Sequence, residues 1–219
     1  MPNTTTELFL ENVSIEFPIL NSKSLRNTLF SPRTSEGEVQ NIAENERLVI
    51  RALQDINLSL KKGDRLGIIG HNGAGKTTLL KAMAGVYPPA RGTIKSTGKI
   101  SPMFNTSLGM DPEDTGYENI NNMGLFYGLD SSEIEKRLPE IEDFCELGSY
   151  LHLPVHTYSA GMVVRLTFAV ATCVEPEILL LDEGLGAGDA RFTERAKQRV
   201  DKLIEQSSLL VVASHSTSW

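Results

Sequence analysis

Residues Gly70 to Thr77 read GHNGAGKT and follow the apolar run LGII. The stretch matches G-x-x-x-x-G-K-[ST]. Glycines let consecutive backbone N–H groups turn inward without a side chain in the way. With a helix N-terminus, those groups form a cradle for phosphate. In this pattern Lys76 reaches the β and γ phosphates, and Thr77 offers its hydroxyl to Mg²⁺. Gly70, His71, Asn72, Gly73, Ala74, Gly75, Lys76, Thr77 and Thr78 are the expected phosphate-binding residues. Without context the same letters describe a glycine-rich turn. Here they follow a strand-like run and open a helical one, and that context favours a nucleotide, with ATP and Mg²⁺ the expected ligands.

A nucleotide site also needs a carboxylate for the metal and a group to organise water. The run ILLLDE supplies both. Asp182 ends an apolar strand, where it can hold Mg²⁺ through water. Glu183 stands next to it as a candidate general base. His215 follows the run SLLVVAS, at the edge where such sheets bind ligands, and is placed to meet the γ-phosphate.

These residues need a scaffold. Leu8, Leu10, Val13, Ile15 and Phe17 alternate, with a break at Glu11 and Asn12, and predict an early strand. LQDINLSL, Leu53 to Leu60, alternates again, with Lys61 to Asp64 as a turn. RLGIIG reads as a buried strand entering the glycine loop. KTTLLKAMAG continues as a helix with Leu79, Leu80 and Met83 on one side and Gly85 as its stop. Phe104 to His156 reads as mostly helical. Ser132 and Glu135 have capping-box spacing there, Ile134, Leu138, Ile141 and Cys145 follow at helical intervals, and Pro139 is a possible kink. EILLLD and SLLVVAS flank the amphipathic stretch RFTERAKQRVDKLIEQ. Short continuous apolar strands alternating with helices imply a parallel sheet covered on both faces.

At 219 residues the chain is long enough for a sizeable core. Its formal net charge of -7 argues against gripping nucleic acid, which calls for a basic face. Cys145 and Cys173 lie far apart in no metal-like spacing and read as reduced thiols of a cytosolic protein. The start lacks a signal peptide's pattern, and the longest apolar runs fall well short of the roughly 20 residues that span a bilayer. Work at a membrane would therefore need another anchor.

With the glycine loop and Asp182–Glu183 come TYSAGMVVRLTFAVA and GLGAGDARF. Taken in order, these motifs resemble the nucleotide-binding subunit of an ATP-binding-cassette transporter over nearly the whole chain. Tyr158 to Met162 sits where that family has its signature, usually LSGGQ. Asp189, six residues after Glu183, falls at the aspartate of the D-loop, and His215 matches the H-loop. TYSAGM, GAGDARF and DPEDTGYENI look like the branch that exports bacterial surface polysaccharides: O-antigen, capsule or teichoic acid.

The resemblance implies one α/β P-loop NTPase domain over residues 1–219. It would carry an N-terminal antiparallel β subdomain, a helical insert at about 105–165 and a loop insertion at about 18–51. It implies ATP hydrolysis in a homodimer, each ATP held between the phosphate loop of one copy and Ser159, Ala160, Gly161 and Met162 of the other. It also implies a separate integral membrane subunit, a lipid-linked polysaccharide as cargo, no nucleic acid, and a peripheral place on the cytoplasmic face of the bacterial inner membrane. A soluble ATPase of this type, or a regulatory module without turnover, is the alternative. The former usually carries two cassettes or a long coiled insert; the latter would lack Glu183 or His215.

Some positions depart from the family pattern. The Q-loop position is filled by Asn105, one methylene shorter than glutamine and able to reach metal through its carbonyl or through water. Phe17 matches the aromatic on which adenine stacks, and reads equally as a core phenylalanine. Between Pro18 and Ser35, Lys23, Arg26 and Arg33 stand without an acid, and Leu25 and Leu29 are i, i+4. That stretch reads as a short amphipathic helix facing lipid phosphates or as a solvated loop. The family normally continues as further helix past His215, so Trp219 implies a shortened subunit or a truncated chain.

Overall fold

In the computed structural model, which describes residues 6–19, 39–40, 49–104, 109–182 and 190–214, the broken alternation at Glu11–Asn12 becomes a bulge. Strand β1 (Glu7–Pro18) runs through it and pairs antiparallel with β3 (Val49–Lys61). The register shifts between Leu10 and Val13, and Asn12 takes a φ of 50°. The extra residue keeps Leu8, Leu10, Val13 and Ile15 all buried, which strict alternation would not allow. On its other side β1 pairs with β5 (Arg91–Thr97). A Cβ on Gly92 would lie 2.3 Å from the carbonyl oxygens of Glu11 and Asn12, so the bulge requires glycine opposite it. The two-residue β2 (Val39–Gln40) completes an antiparallel sheet in the order β2-β3-β1-β5.

The second sheet is parallel, in the order β4-β8-β7-β6, from β4 (Arg65–Ile69), β6 (Ile100–Met103), β7 (Ile178–Asp182) and β8 (Leu209–Ser214). The central strands β7 and β8 are apolar and buried on both faces, as the continuous runs predict. β4 differs from expectation: it is no buried strand but an edge strand. Leu66 and Ile68 are half-buried, Gly67 is exposed, and Ile69 is 56% exposed. With one hydrogen-bonded neighbour and one covered face, an edge position leaves alternate residues in solvent.

Helix α1 (Lys76–Met83) buries Leu80 and Met83 and stops at Gly85, whose φ is +75°. Its cluster joins the inner faces of the two sheets: Leu8, Leu10 and Ile15 meet Ile178, Leu180 and Val211. The other face of the parallel sheet packs on a larger cluster holding α2 (Gly116–Phe126), α3 (Ser131–Cys145), α4 (Ala160–Ala171) and α5 (Ala190–Gln206). The parallel sheet is thus covered on both sides, and the fold is α/β with an antiparallel N-terminal sheet.

The expected capping box is displaced by one half turn. Asp130 caps α3 and exchanges hydrogen bonds with Glu133, leaving Ser132 inside the helix. Asp130 offers the same spacing with a charged acceptor, the stronger partner for a free N–H. α3 continues through Pro139. A second box, Thr115 with Glu118, opens α2. Cys145 and Cys173 are free thiols, and burial pushes Cys173 up to about 11, so it stays protonated.

Candidate functional site

Six residues of irregular chain, Gly70 to Gly75, separate the end of β4 from α1, and their shape follows from the glycines. Gly73 and Gly75 have φ of +82° and +90°. Gly75 caps α1 with its backbone alone. The cap leaves the first-turn N–H groups of α1 without a side-chain acceptor, and no acidic residue stands in that turn. The positive end of the helix dipole is therefore kept for an anion. Behind the loop, Gly75 lies against Leu53 and Ala52 of β3.

Lys76 lies back over this loop. Only 7% of its surface is exposed, and its Nζ donates to the carbonyls of Gly70 at 2.6 Å and His71 at 3.0 Å. The ammonium is thus held over the arch of backbone that a phosphate would occupy. His71, Asn72, Gly73 and Ala74 are exposed along the arch. His71 Nδ1 contacts the Asn72 carbonyl at 2.7 Å, and Thr78 is half-buried in the first turn of α1.

Across the loop, Thr77 Oγ1 donates to Asp182 Oδ2 at 2.6 Å. These residues are 105 apart in sequence and come from α1 and the end of β7. Both supply oxygen, the donor Mg²⁺ prefers. No group of three or more His, Cys, Asp or Glu that could hold a metal occurs among the described residues. One hydroxyl and one carboxylate nevertheless suit Mg²⁺, which keeps several waters and takes its other ligands from substrate phosphates.

Phe17, at the far end of β1, is half-buried and packs edge-on against Tyr87, with ring centroids 5.1 Å apart. Lys81 of α1 places its Nζ 5.5 Å from the Tyr87 ring. Tyr87 carries no motif in the sequence; an aromatic just past the stop of α1 is the signal that marks it. Phe17 belongs to the margin of the sheet cluster and still presents an edge.

Ser159 caps α4, its hydroxyl accepting from the Met162 N–H at 3.3 Å. Ser159, Ala160 and Gly161 are exposed, and no acidic residue occupies the first turn. Tyr158 braces this end by donating its hydroxyl to the Tyr150 carbonyl at 2.7 Å. The segment leading into α4 is pinned to the approach to α2. Val155 N donates to Asp114 O at 3.0 Å, and His156 N to Pro112 O at 2.8 Å. The loop before α1 and the start of α4 are thus two exposed helix N-termini carried by different clusters. Asn105, Glu183, Asp189 and His215 lie outside the described residues, as does the stretch with Lys23, Leu25, Arg26, Leu29 and Arg33.

Comparison with known proteins agrees with this arrangement. Residues 53–186 match the family model described as ABC transporter. The chain is 48% identical over 215 residues to the O-antigen export system ATP-binding protein RfbE of Yersinia enterocolitica, covering 97% of this chain and 89% of that one. It is 34% identical over 212 residues to the teichoic acids export ATP-binding protein TagH of Shouchella clausii. That alignment covers 96% of this chain and 56% of that protein's length. Among solved structures it resembles an ATP-binding cassette captured as a dimer after hydrolysis with ADP and Pi. The TM-score is 0.64 and the identity 23%, over 95% of this chain and 88% of that one. That likeness speaks to the fold, and the family model and the relatives establish that the chain belongs to the ABC transporter family.

Proposed function

We propose that this chain hydrolyses ATP and so powers the export of a lipid-linked polysaccharide, O-antigen, capsule or teichoic acid, through a separate membrane subunit. One observation carries the hydrolytic half: the Thr77–Asp182 pair stands across from a glycine loop that folds Lys76 over its own carbonyls. The loop amides and the α1 N-terminus bind the phosphates, and Lys76 offsets their charge. Thr77 and Asp182 would hold Mg²⁺, which neutralises charge on the phosphates. Glu183, next to Asp182, takes a proton from the water that attacks the γ-phosphorus. The bond to the β–γ bridging oxygen breaks, and ADP and phosphate leave. His215 would contact the γ-phosphate, Asn105 would reach the metal, and Phe17 would offer adenine a ring to stack on.

The exposed start of α4 supports a second copy completing each site. Ser159, Ala160, Gly161 and Met162 of one protomer present a hydroxyl, amides and the helix dipole to the ATP of the other, with Asp189 at the same seam. ATP closes the pair and hydrolysis reopens it. No helix among the described residues is long and apolar enough to cross a membrane. In this reading the chain works from the cytoplasmic face, held by its membrane partner. The names of the relatives above, which speak of O-antigen and of teichoic acids export, support this cargo.

Glu183→Gln is the test of the chemistry. It should bind ATP and dimerise yet barely release phosphate, and full turnover would refute the base assignment. Co-purification from membranes, with the bound glycolipid read by mass spectrometry, tests the cargo.

A further inference from the structure

Away from the phosphate loop, a cavity of about 390 Å³ opens where α3, α5 and the end of α4 meet. Its charged lining is Arg137, Arg195, Arg199 and Lys202, opposed by Glu140 and Glu175. Among the lining residues alone that is four cations against two acids, and Asp143 and Glu146 pair with Arg195 from outside the lining. The placement is regular. Arg195, Arg199 and Lys202 are spaced i, i+4, i+7 along α5, and Arg137 and Glu140 share a face of α3.

Pairing within the protein does not use up these cations. Arg199 donates to Glu140 at 2.7 Å, and Arg195 pairs with Glu146 and Asp143. Arg137 gives one donor to the Cys173 carbonyl and Lys202 gives none, and no carboxylate lies within 4 Å of either among the described residues. A guanidinium has five N–H donors in a fork that matches phosphate oxygens. The guanidiniums are also stiffly mounted: Arg195 and Arg199 lie over the Phe144 ring at 5.1 and 4.6 Å. Stacking fixes their planes before a ligand arrives, which lowers the cost of ordering them.

We propose that this cavity is a second anion site, distinct from the phosphate loop, and that it takes a compact polyanion bearing a diphosphate group. Arg137 and Lys202, which no carboxylate among the described residues offsets, beside the guanidiniums of Arg195 and Arg199, suit a ligand with several anionic oxygens better than a single carboxylate. Phe144 and Leu203 give the cavity an apolar wall that accepts a short carbon substituent. Its position links it to the rest of the molecule. α4 runs from Ser159 to this cavity over about 18 Å, and α5 spans about 25 Å, at 1.5 Å per residue. An occupant therefore touches the C-terminal end of α4 and the face of α5 from Arg195 to Gln206.

The test is a calorimetric titration of the Lys76→Ala chain with inorganic diphosphate. Removing the loop ammonium leaves the cavity as the strong cationic site. Saturable binding is expected, weakened at least tenfold when R137Q and K202Q are added. K202Q alone, at an exposed residue, keeps the fold and should weaken binding severalfold. Thermal melts verify folding. No binding at millimolar diphosphate, or an unchanged affinity in the added variants, overturns the site. Flotation then separates two sources of the same chemistry. Retention on phosphatidylcholine vesicles doped with diacylglycerol pyrophosphate, absent on pure phosphatidylcholine and abolished by R137Q with K202Q, assigns the site to a lipid headgroup; absence of retention assigns it to a free diphosphate. The titration reads no ATP turnover, so its failure leaves the hydrolysis proposal standing.

Discussion

Thr77 Oγ1 lies 2.6 Å from Asp182 Oδ2, joining the first turn of α1 to the end of β7. The contact sets how the phosphate loop faces the strand that leads into Glu183. A hydroxyl already oriented on a carboxylate needs little rearrangement to present both oxygens to one cation.

Thr77→Val keeps the shape of the side chain and removes that hydroxyl. Phosphate release should fall about 10- to 100-fold, as for lost metal-site partners, with more Mg²⁺ needed for half-maximal rate. The Thr77 side chain is exposed, so stability should change by no more than about 0.5 kcal/mol. Thr77→Ser restores the oxygen and should restore most of the rate. A Mg²⁺ titration of phosphate release at saturating ATP checks this. Equal Mg²⁺ dependence in wild type and Thr77→Val would remove Thr77 from the metal site.

Gly75 tests the backbone half of the site. Its φ of +90° is one that residues with a Cβ adopt at a cost of about 1–2 kcal/mol. An added Cβ would also meet Leu53 Cδ2 at 3.0 Å and the Ala52 carbonyl at 3.1 Å. Gly75→Ala should lower the melting temperature by about 2–8 °C for a chain of this size. It should weaken ATP binding as well, because the loop is pushed off β3. Differential scanning calorimetry and nucleotide titration measure the two effects. A stable variant with native ATP affinity would show that the loop tolerates another backbone path.

Much of this is legible in the sequence. The glycine loop, the run ending at Asp182 and the helix stopped at Gly85 are local patterns, fixed by backbone freedom and apolar periodicity, and the fold realises them. Burial on β4 was not legible, because an apolar run looks the same at a sheet edge as at its centre. Strand order is a property of the whole chain. The α3 cap was misplaced because Asp130/Glu133 and Ser132/Glu135 share one spacing, and only the helix start separates them. Tyr87 escaped notice because its partner Phe17 lies 70 positions away. The cavity beside α5 escaped because its cations come from two helices, and one-dimensional spacing shows only the three on α5.

The capping box of α2 gives a pH dependence with a definite sign. Glu118 Oε2 accepts from the Thr115 N–H at 2.8 Å and from the Thr115 hydroxyl at 2.7 Å. These two bonds, the hydroxyl's first, hold the Glu118 carboxyl below the usual carboxylate range. A lowered value in the folded state means that the unfolded chain takes up the proton first as acid is added. The contribution is therefore whole above the unfolded value, about 4.3, and is lost as pH falls through the folded one. Thr115 also bridges to Pro154, and Gly116 N donates to Leu153 O at 3.3 Å, so this box steadies the segment entering Ser159. Glu118→Gln should melt below wild type at pH 7, and the gap should narrow steadily below about pH 4.5. Thermal melts of both chains from pH 7 to pH 3.5 measure it. A gap that stays constant or widens in acid would mean that the ionised carboxylate does not hold the start of α2.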